Sequence, residues 1–350
     1  AASDVYKRQV FDHLGGMEDC GDAGDEYVFR ETIPNERITE PDSVEILPLY
    51  VGNTAAAMQV TRTYTIPSGA VINPELTKGM VKKRRSDDIS WIEVVSEIRL
   101  QKGDRQVYIT TSFDNQQENH RLRTIFPTGM QVDHCYADGQ FDVIEREIKV
   151  SPVWTNPSNC QHQCDFIALK DGDKGLIVSN RGLPEYEVIQ EDNSIALTLL
   201  RAIDQIGDWG YFPTPEAQCK GPFTTQYAVA AFRPEEFHDA CAAAHDFAGD
   251  VVFGRQLHDK AVPADKADRN FLELVDTKGV YCTAIKKAEE NGDVVVRVYS
   301  VNEQPVNAVF RADDVFTSAS KVRMDETMPE ALDMLVRGEY AIERRMMLYA

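Results

Sequence analysis

Apolar and polar positions alternate along much of this chain. Between Ile92 and Leu100, residues Ile92, Val94, Ser96, Ile98 and Leu100 share one face, and Glu93, Glu97 and Arg99 share the other. That period of two is the mark of a half-buried strand. The turn Gln101–Arg105 follows, and Val107, Ile109, Thr111 and Phe113 resume the period, so the pattern predicts a hairpin. Strands are also predicted at Val44–Tyr50, at Ala57–Ile66 and along Asn119–Phe126, the last stopped by Pro127 and Gly129. Two more hairpins follow: Phe166–Leu169 with Gly175–Ser179, bent at Asp171-Gly-Asp173, and Tyr186–Gln190 with Ser194–Leu200, bent at Glu191-Asp-Asn193. Near the end, Gly279–Lys287 and Val294–Val301 flank Asn291-Gly292, a strong signal for a tight hairpin. Val306–Arg311 adds a strand, and the tail from Val322 to Ala350 is mixed.

The period changes once. Phe237, Cys241, Ala244 and Phe247 recur at helical spacing and predict one buried stripe. Pro234 suits a first helical position, Glu235 and Glu236 suit the positive end of the dipole, and Gly249 suits the stop. The predicted fold is therefore mainly β: a large antiparallel β-sandwich, then a small β-sandwich, with one helix. Residues 10–253 form the large domain, the polar stretch 254–269 with Pro263 reads as a linker, and 270–350 form the small domain.

Composition narrows the function classes. The 350 residues favour two domains, and 43% hydrophobic with 27% charged residues is ordinary for a globular protein. A formal net charge of −20 argues against nucleic acid and anionic membranes as partners. No apolar run reaches the roughly 18 residues that cross a bilayer. Seven irregularly spaced cysteines do not form a disulfide framework, so a cytoplasmic setting is expected. The chain starts without Met, and Ala1–Gln9 reads as translated adapter sequence of the kind left by metagenomic assembly, so it is set aside. The expectation is a downstream piece of a longer protein.

Candidate chemistry is sparse. Cys20-Gly-Asp-Ala-Gly-Asp-Glu-Tyr-Val-Phe29 packs two glycines and three acids before an aromatic run. The glycines permit a tight turn, and Tyr27–Phe29 is expected to leave it as a strand, with Asp22 and Asp25 at its rim. The bland reading is an acidic turn. Cys160-Gln-His-Gln-Cys164 has metal-binding residue types, but on a strand its thiols lie roughly 13 Å apart. One tetrahedral ion cannot take both, so packed thiols are the better reading. His238 and His245 are two helical turns apart, too far for one ion, and read as solvated or capping groups. Arg121 and Arg123 share a strand face and could clamp a carboxylate or phosphate, or simply answer the surplus of surface acids. No phosphate loop, nucleophile elbow or zinc-protease helix occurs.

Several stretches taken in order resemble the C-terminal β region of glycoside hydrolase family 38, the α-mannosidases, the bacterial members above all. They are Gly21–Phe29, Phe113–Gly129, Asp171–Gly175, Asn180–Val188 and Ile195–Arg201, with Ala284–Glu290 and Val296–Ser300 in the small domain. The resemblance implies a retaining, zinc-dependent hydrolase of α-linked mannosides. It places the zinc, held by His and Asp, and an Asp nucleophile in an N-terminal catalytic barrel followed by a helical bundle. None of the seven histidines here has Asp two residues on, so no metal is expected in this fragment and alone it is expected to be inactive. The missing barrel and bundle are its expected partners, and a mannoside its expected substrate. By the resemblance, the large domain is expected to be a galactose-mutarotase-like β-super-sandwich, and Tyr27 occupies the position of a tyrosine that contacts the sugar. Asp22 and Asp25, which match the acidic part of that motif, are expected with it as substrate-binding residues. The family's arginine after the strand matching Ile195–Leu200 falls near Arg201, without a clear alignment. The alternatives are a non-catalytic carbohydrate-binding β-sandwich, a mutarotase-like epimerase or a structural interaction domain.

Overall fold

The computed structural model describes residues 2–3, 10–75, 82–151, 153, 159–207, 212–249, 272–275, 278–302, 305–313, 316–332, 334–337 and 341–348. The predicted linker 254–269 and most of Ala1–Gln9 lie outside them. The chain divides into two compact units, Ala1–Gly139 with Ile144–Gly249, and Gln140–Val143 with Asp250–Ala350.

Two antiparallel sheets build the first unit. The nine-stranded sheet runs, edge to edge, Asp142–Glu147, His134–Gly139, Phe166–Lys170, Gly175–Asn180, Gly221–Phe232, Val107–Asn115, Ile89–Gln101, Ala55–Pro67 and Ser43–Val51. The six-stranded sheet runs Cys160–His162, Glu185–Ile189, Ser194–Ala202, His120–Phe126, Gly16–Gly21 and Arg37–Ile38. Alternation explains what lies between them. Ile92, Val94, Ile109, Phe113, Ile167, Leu169, Leu176 and Val178 come from the larger sheet, and Met17, Leu122, Phe126, Tyr186, Val188, Ile195 and Leu197 from the smaller. All join one buried cluster. Phe126 meets the Tyr227 ring edge-on across the layers, with centroids 5.9 Å apart. The Tyr227 hydroxyl shares a hydrogen bond with Thr111 at 2.7 Å, so its polar tip is satisfied inside the core.

Local rules placed the hairpins. Ile98 opposes Ile109 and Val94 opposes Phe113 in the register expected from the period of two. The Asp171 carboxylate accepts from the backbone N–H of Asp173 and Lys174, both within 2.9 Å, which closes that bend as an Asx turn. A 3-10 turn over Pro234–Glu236 leads into the helix Phe237–Ala248, which buries Phe237, Cys241 and Ala244 and stops at Gly249.

The second unit, in its described residues, holds a four-stranded sheet ordered Leu272–Val275, Val306–Asp313, Ala341–Leu348, Met334–Arg337, and the hairpin Val280–Lys287 with Val294–Ser300. The protein is thus mainly β, antiparallel throughout, with one α-helix among the described residues. No helix among them is long and apolar enough to cross a membrane.

Candidate functional site

Strand His120–Phe126 turns Leu122 and Phe126 to the core and Arg121 and Arg123 to the opposite face of the smaller sheet. Both arginines are fully buried, which corrects the expectation of a surface pair. Their charges are met by acids from distant parts of the chain. Arg123 binds Glu18 through Nε at 2.9 Å and also pairs with Glu187. Arg121 donates to Cys160 Sγ at 3.0 Å, with Glu185 at 3.8 Å and Glu187 at 3.7 Å. Its Nε has no hydrogen-bond partner among the described residues, and the guanidinium carbon lies 3.4 Å from the Phe29 ring centroid. The ring's negative face supplies part of what the missing bond would. Cys160 is thereby an arginine partner in a three-residue strand, and Cys164 is exposed. Cys20, in the same cluster, has its thiol pushed up to about 11 by burial, which keeps it neutral and unreactive.

Next to this cluster stands the segment that opens with Gly21. Strand Gly16–Gly21 ends there, and Tyr27–Phe29 is an irregular loop, not the strand that its aromatic run predicts. The reason is side-chain competition for the backbone. Asp22 accepts from the Gly24 N–H at 2.8 Å, and Asp25 accepts from the N–H groups of Tyr27 and Val28, each at 2.8 Å. The Asp25 N–H closes on the Val28 carbonyl at 3.0 Å, and the Ala23 N–H donates to the Arg30 carbonyl at 2.7 Å. Backbone groups that a sheet ladder would use are consumed within the loop. Gly24 has to be glycine, since a Cβ there would lie 1.9 Å from the Val28 carbonyl oxygen.

Asp22 and Asp25 are 0% and 2% exposed, so they are not at an open rim; they are the loop's internal supports. Arg201, at the end of strand Ser194–Ala202, ties them together. Its Nε donates to Asp22 and its Nη2 to the Asp25 carbonyl, both at 2.8 Å. Burial pushes the Asp22 carboxyl above its ordinary range, against the pull of Arg201 and the Gly24 N–H. Arg30 adds a 3.5 Å pair to Asp25. Lys83 bridges Asp204 at 2.6 Å and Asn119 at 3.2 Å, and the Glu26 N–H donates to the Gln205 carbonyl at 3.2 Å, which fastens the loop to the chain beyond Arg201. Tyr27 alone of the three candidate residues projects outward, at 67% exposed. Sequence spacing gave no sign of Arg201, Arg30 and Lys83 as supports, because the residues they join are far apart in the chain. Only the match of the stretch ending at Arg201 hinted at the first.

Below the loop, His120 sits fully buried between Asp19 Oδ2 at 2.6 Å and Asn115 Oδ1 at 2.9 Å. Arg85 covers the other Asp19 oxygen at 2.5 Å. No group of this set reaches solvent, so its chemistry is structural. A groove of about 650 Å³ lies on the larger sheet beside the helix, lined by Glu97, Arg99, Asp104, Tyr108 and Asp246, and it includes no residue of the Tyr27 loop.

The two-sheet β unit has counterparts among glycosidases. The model of the glycosyl hydrolases family 38 C-terminal domain matches residues 3–209, more than half of the chain, and the chain belongs to that family. Among solved structures it is similar to an α-mannosidase from Enterococcus faecalis V583, with 28% identity and a TM-score of 0.82 over 98% of this chain and 39% of that one. A second family 38 structure from Enterococcus faecalis agrees at 27% identity and a TM-score of 0.79, covering 98% of this chain and 41% of that one. A Halalkalibacterium halodurans protein that bears the name of a mannosylglycerate hydrolase is 32% identical over 229 residues, 62% of this chain and 25% of that protein. The chain therefore spans only about a quarter to two fifths of the relatives it matches, and in them it corresponds to the C-terminal part of a multidomain enzyme.

Proposed function

We propose that this chain is the C-terminal β portion of a retaining, zinc-dependent α-mannosidase, and that it supplies scaffold and part of the sugar-binding rim. The observation that carries the reading is Tyr27, 67% exposed on a loop whose backbone is fixed by Asp22, Asp25 and Arg201. A phenol held in this way can hydrogen-bond a sugar hydroxyl while its ring packs on the sugar's apolar face. Because the loop is ordered beforehand, little conformational entropy is lost on binding. Asp22 and Asp25 are positioning residues that act through Tyr27.

The chain contains no His-x-Asp pair, so the zinc ligands and the nucleophilic carboxylate belong, in this reading, to the part of the family's enzymes that the chain does not span. Zinc would supply Lewis-acid positioning of the sugar there. The substrate class is an α-mannoside, and mannosylglycerate, after the name of one relative, is the first natural compound to assay. The test compares the 350-residue chain with the enzyme from the complete reading frame on an aryl α-mannoside. The complete enzyme should turn it over, lose activity to a chelator and recover with Zn²⁺, while the chain alone should be silent. Robust turnover by the chain alone, or an inert complete enzyme, contradicts the proposal.

A further inference from the structure

The helix Phe237–Ala248 carries a histidine that the mannoside reading leaves unused. His245 lies in its last turn, on the side packed against the larger sheet. Its Nδ1 is 2.8 Å from Asp165 Oδ2, and its Nε2 is 3.7 Å from Asp138 Oδ1. The ring is held at a steep angle to Phe166, with centroids 5.4 Å apart. Expected from sequence to be solvated or capping, this imidazole instead stands between two carboxylates.

Asp138 is the unusual member. It is 2% exposed, on strand His134–Gly139. Its Oδ2 accepts the Asp165 N–H at 3.0 Å, which fixes the carboxylate's orientation. Its Oδ1, equally buried, has no hydrogen-bond partner among the described residues and is aimed into the cluster. A buried carboxylate oxygen left without a donor is costly, so it calls for a partner. Asp165 and His245 are both partly open to solvent, which gives a small ion a way in and leaves room for water ligands.

We propose that Asp138, Asp165 and His245 form a binding site for a divalent transition-metal cation that pins the helix end to the sheet. One ligand atom from each lies within 4.8 Å of the other two. Donors about 2.1 Å from a common tetrahedral ion stand about 3.4 Å apart, so the site closes with a shift of roughly 1–1.5 Å. The two partly exposed members can make that shift while Asp138 stays fixed. One imidazole with two carboxylates suits Zn²⁺, Co²⁺ or Mn²⁺ better than Ca²⁺ or Mg²⁺. Cys164 is adjacent in sequence, but the site needs only nitrogen and oxygen donors. The site departs from the expectation that this chain binds no metal, and it does not depend on the mannosidase reading.

The test uses the full 350-residue chain, stripped by a chelator and kept reduced. Calorimetric titration with Zn²⁺ should give one tight site per chain, and Zn²⁺ should raise the thermal midpoint. Asp138→Asn keeps the shape and should weaken binding at least 10-fold, the scale on which even groups behind the ligands act. Should Asp138→Asn fail to fold, His245→Gln on the partly exposed helix end carries the same expectation. Co²⁺ in place of Zn²⁺ should give a weak visible spectrum without an intense thiolate charge-transfer band. The proposal is overturned if no stoichiometric site is found, if the variants bind as the parent does, or if the thiolate band appears. A pure proton-bridged clamp gives the first of these results, with both variants less stable whether or not metal is present.

Discussion

Tyr27 is exposed on a loop whose backbone is held from within. Asp22 and Asp25 are buried and Arg201 ties them together, and the clamp makes three predictions. Arg201→Ala leaves the Asp22 carboxylate buried without its cation and should cost about 3 kcal/mol in denaturant unfolding. The Asp22 carboxyl has its folded pKa raised from 3.8 by burial. The stability linked to its protonation is fully present below pH 3.8 and is lost as pH rises through the raised folded value. The parent chain should therefore lose stability relative to Asp22→Asn across that window and run parallel to it above, as urea midpoints against pH would record. Gly24→Ala puts a methyl carbon where backbone already lies, 1.9 Å from the Val28 carbonyl oxygen and 2.9 Å from the Arg30 nitrogen. The loop must open, so this substitution should lower the thermal midpoint although it removes no contact. The residues alone read as an acidic turn, and the family resemblance named Tyr27, with Asp22 and Asp25, as the substrate-binding residues to test. Neither identified the clamp, because Arg201 and Asp22 are 179 positions apart and no periodicity links them.

Among the elements, several built on local rules were legible, but the strands His134–Gly139, Asp142–Glu147 and Gly221–Phe232 were not predicted. The hairpins at 92–113, 166–179, 186–200 and 280–300 follow from alternation and turn residues, and the helix follows from a stripe of four and its end signals. Strand Gly16–Gly21 was not predicted, since Gly-Met-Glu-Asp-Cys-Gly shows no apolar alternation. It is a buried strand because Glu18 and Asp19 meet Arg123 and Arg85, from 105 and 66 positions away. The same holds for Arg121 and Arg123, where an apparently solvent-facing polar period is a buried ionic layer. The helix start offers a simple test. Hydrogen bonding from Arg233 holds the Glu236 carboxyl down at about 2, with the Arg233 backbone N–H and Arg105 adding to it. Its contribution is therefore present above pH 4.5 and lost as pH falls through about 2. Glu236→Gln should remove it, and solvent screening keeps the effect below about 1 kcal/mol at neutral pH. The outermost strand, Ser43–Val51, is exposed at all nine positions and carries Val44, Ile46, Leu47, Leu49, Tyr50 and Val51. An open apolar edge of this kind invites pairing with another chain. Ile46→Lys should accordingly reduce concentration-dependent light scattering by the isolated chain.

At the scale of the whole molecule, the chain matches 98% of its own length to an α-mannosidase structure but only 39% of that enzyme's. Its polar sets divide by accessibility. Arg121, Arg123 and the Asp19–His120–Asn115 set are buried and structural, with Glu185 and Glu187 partly exposed beside the arginines, while the Tyr27 loop opens to solvent at Glu26 and Tyr27. That division is why the sugar contact is assigned to one exposed residue rather than to the more elaborate ionic layer beside it. The most direct test is kcat/KM on an aryl α-mannoside for the complete enzyme carrying Tyr27→Phe, with folding checked by the thermal midpoint. Loss of one hydroxyl that bonds the sugar in the transition state should cost roughly 1–3 kcal/mol, a fall of about 5- to 150-fold at an unchanged midpoint. An unchanged kcat/KM would contradict the account and leave Tyr27 as an exposed loop residue with no part in binding.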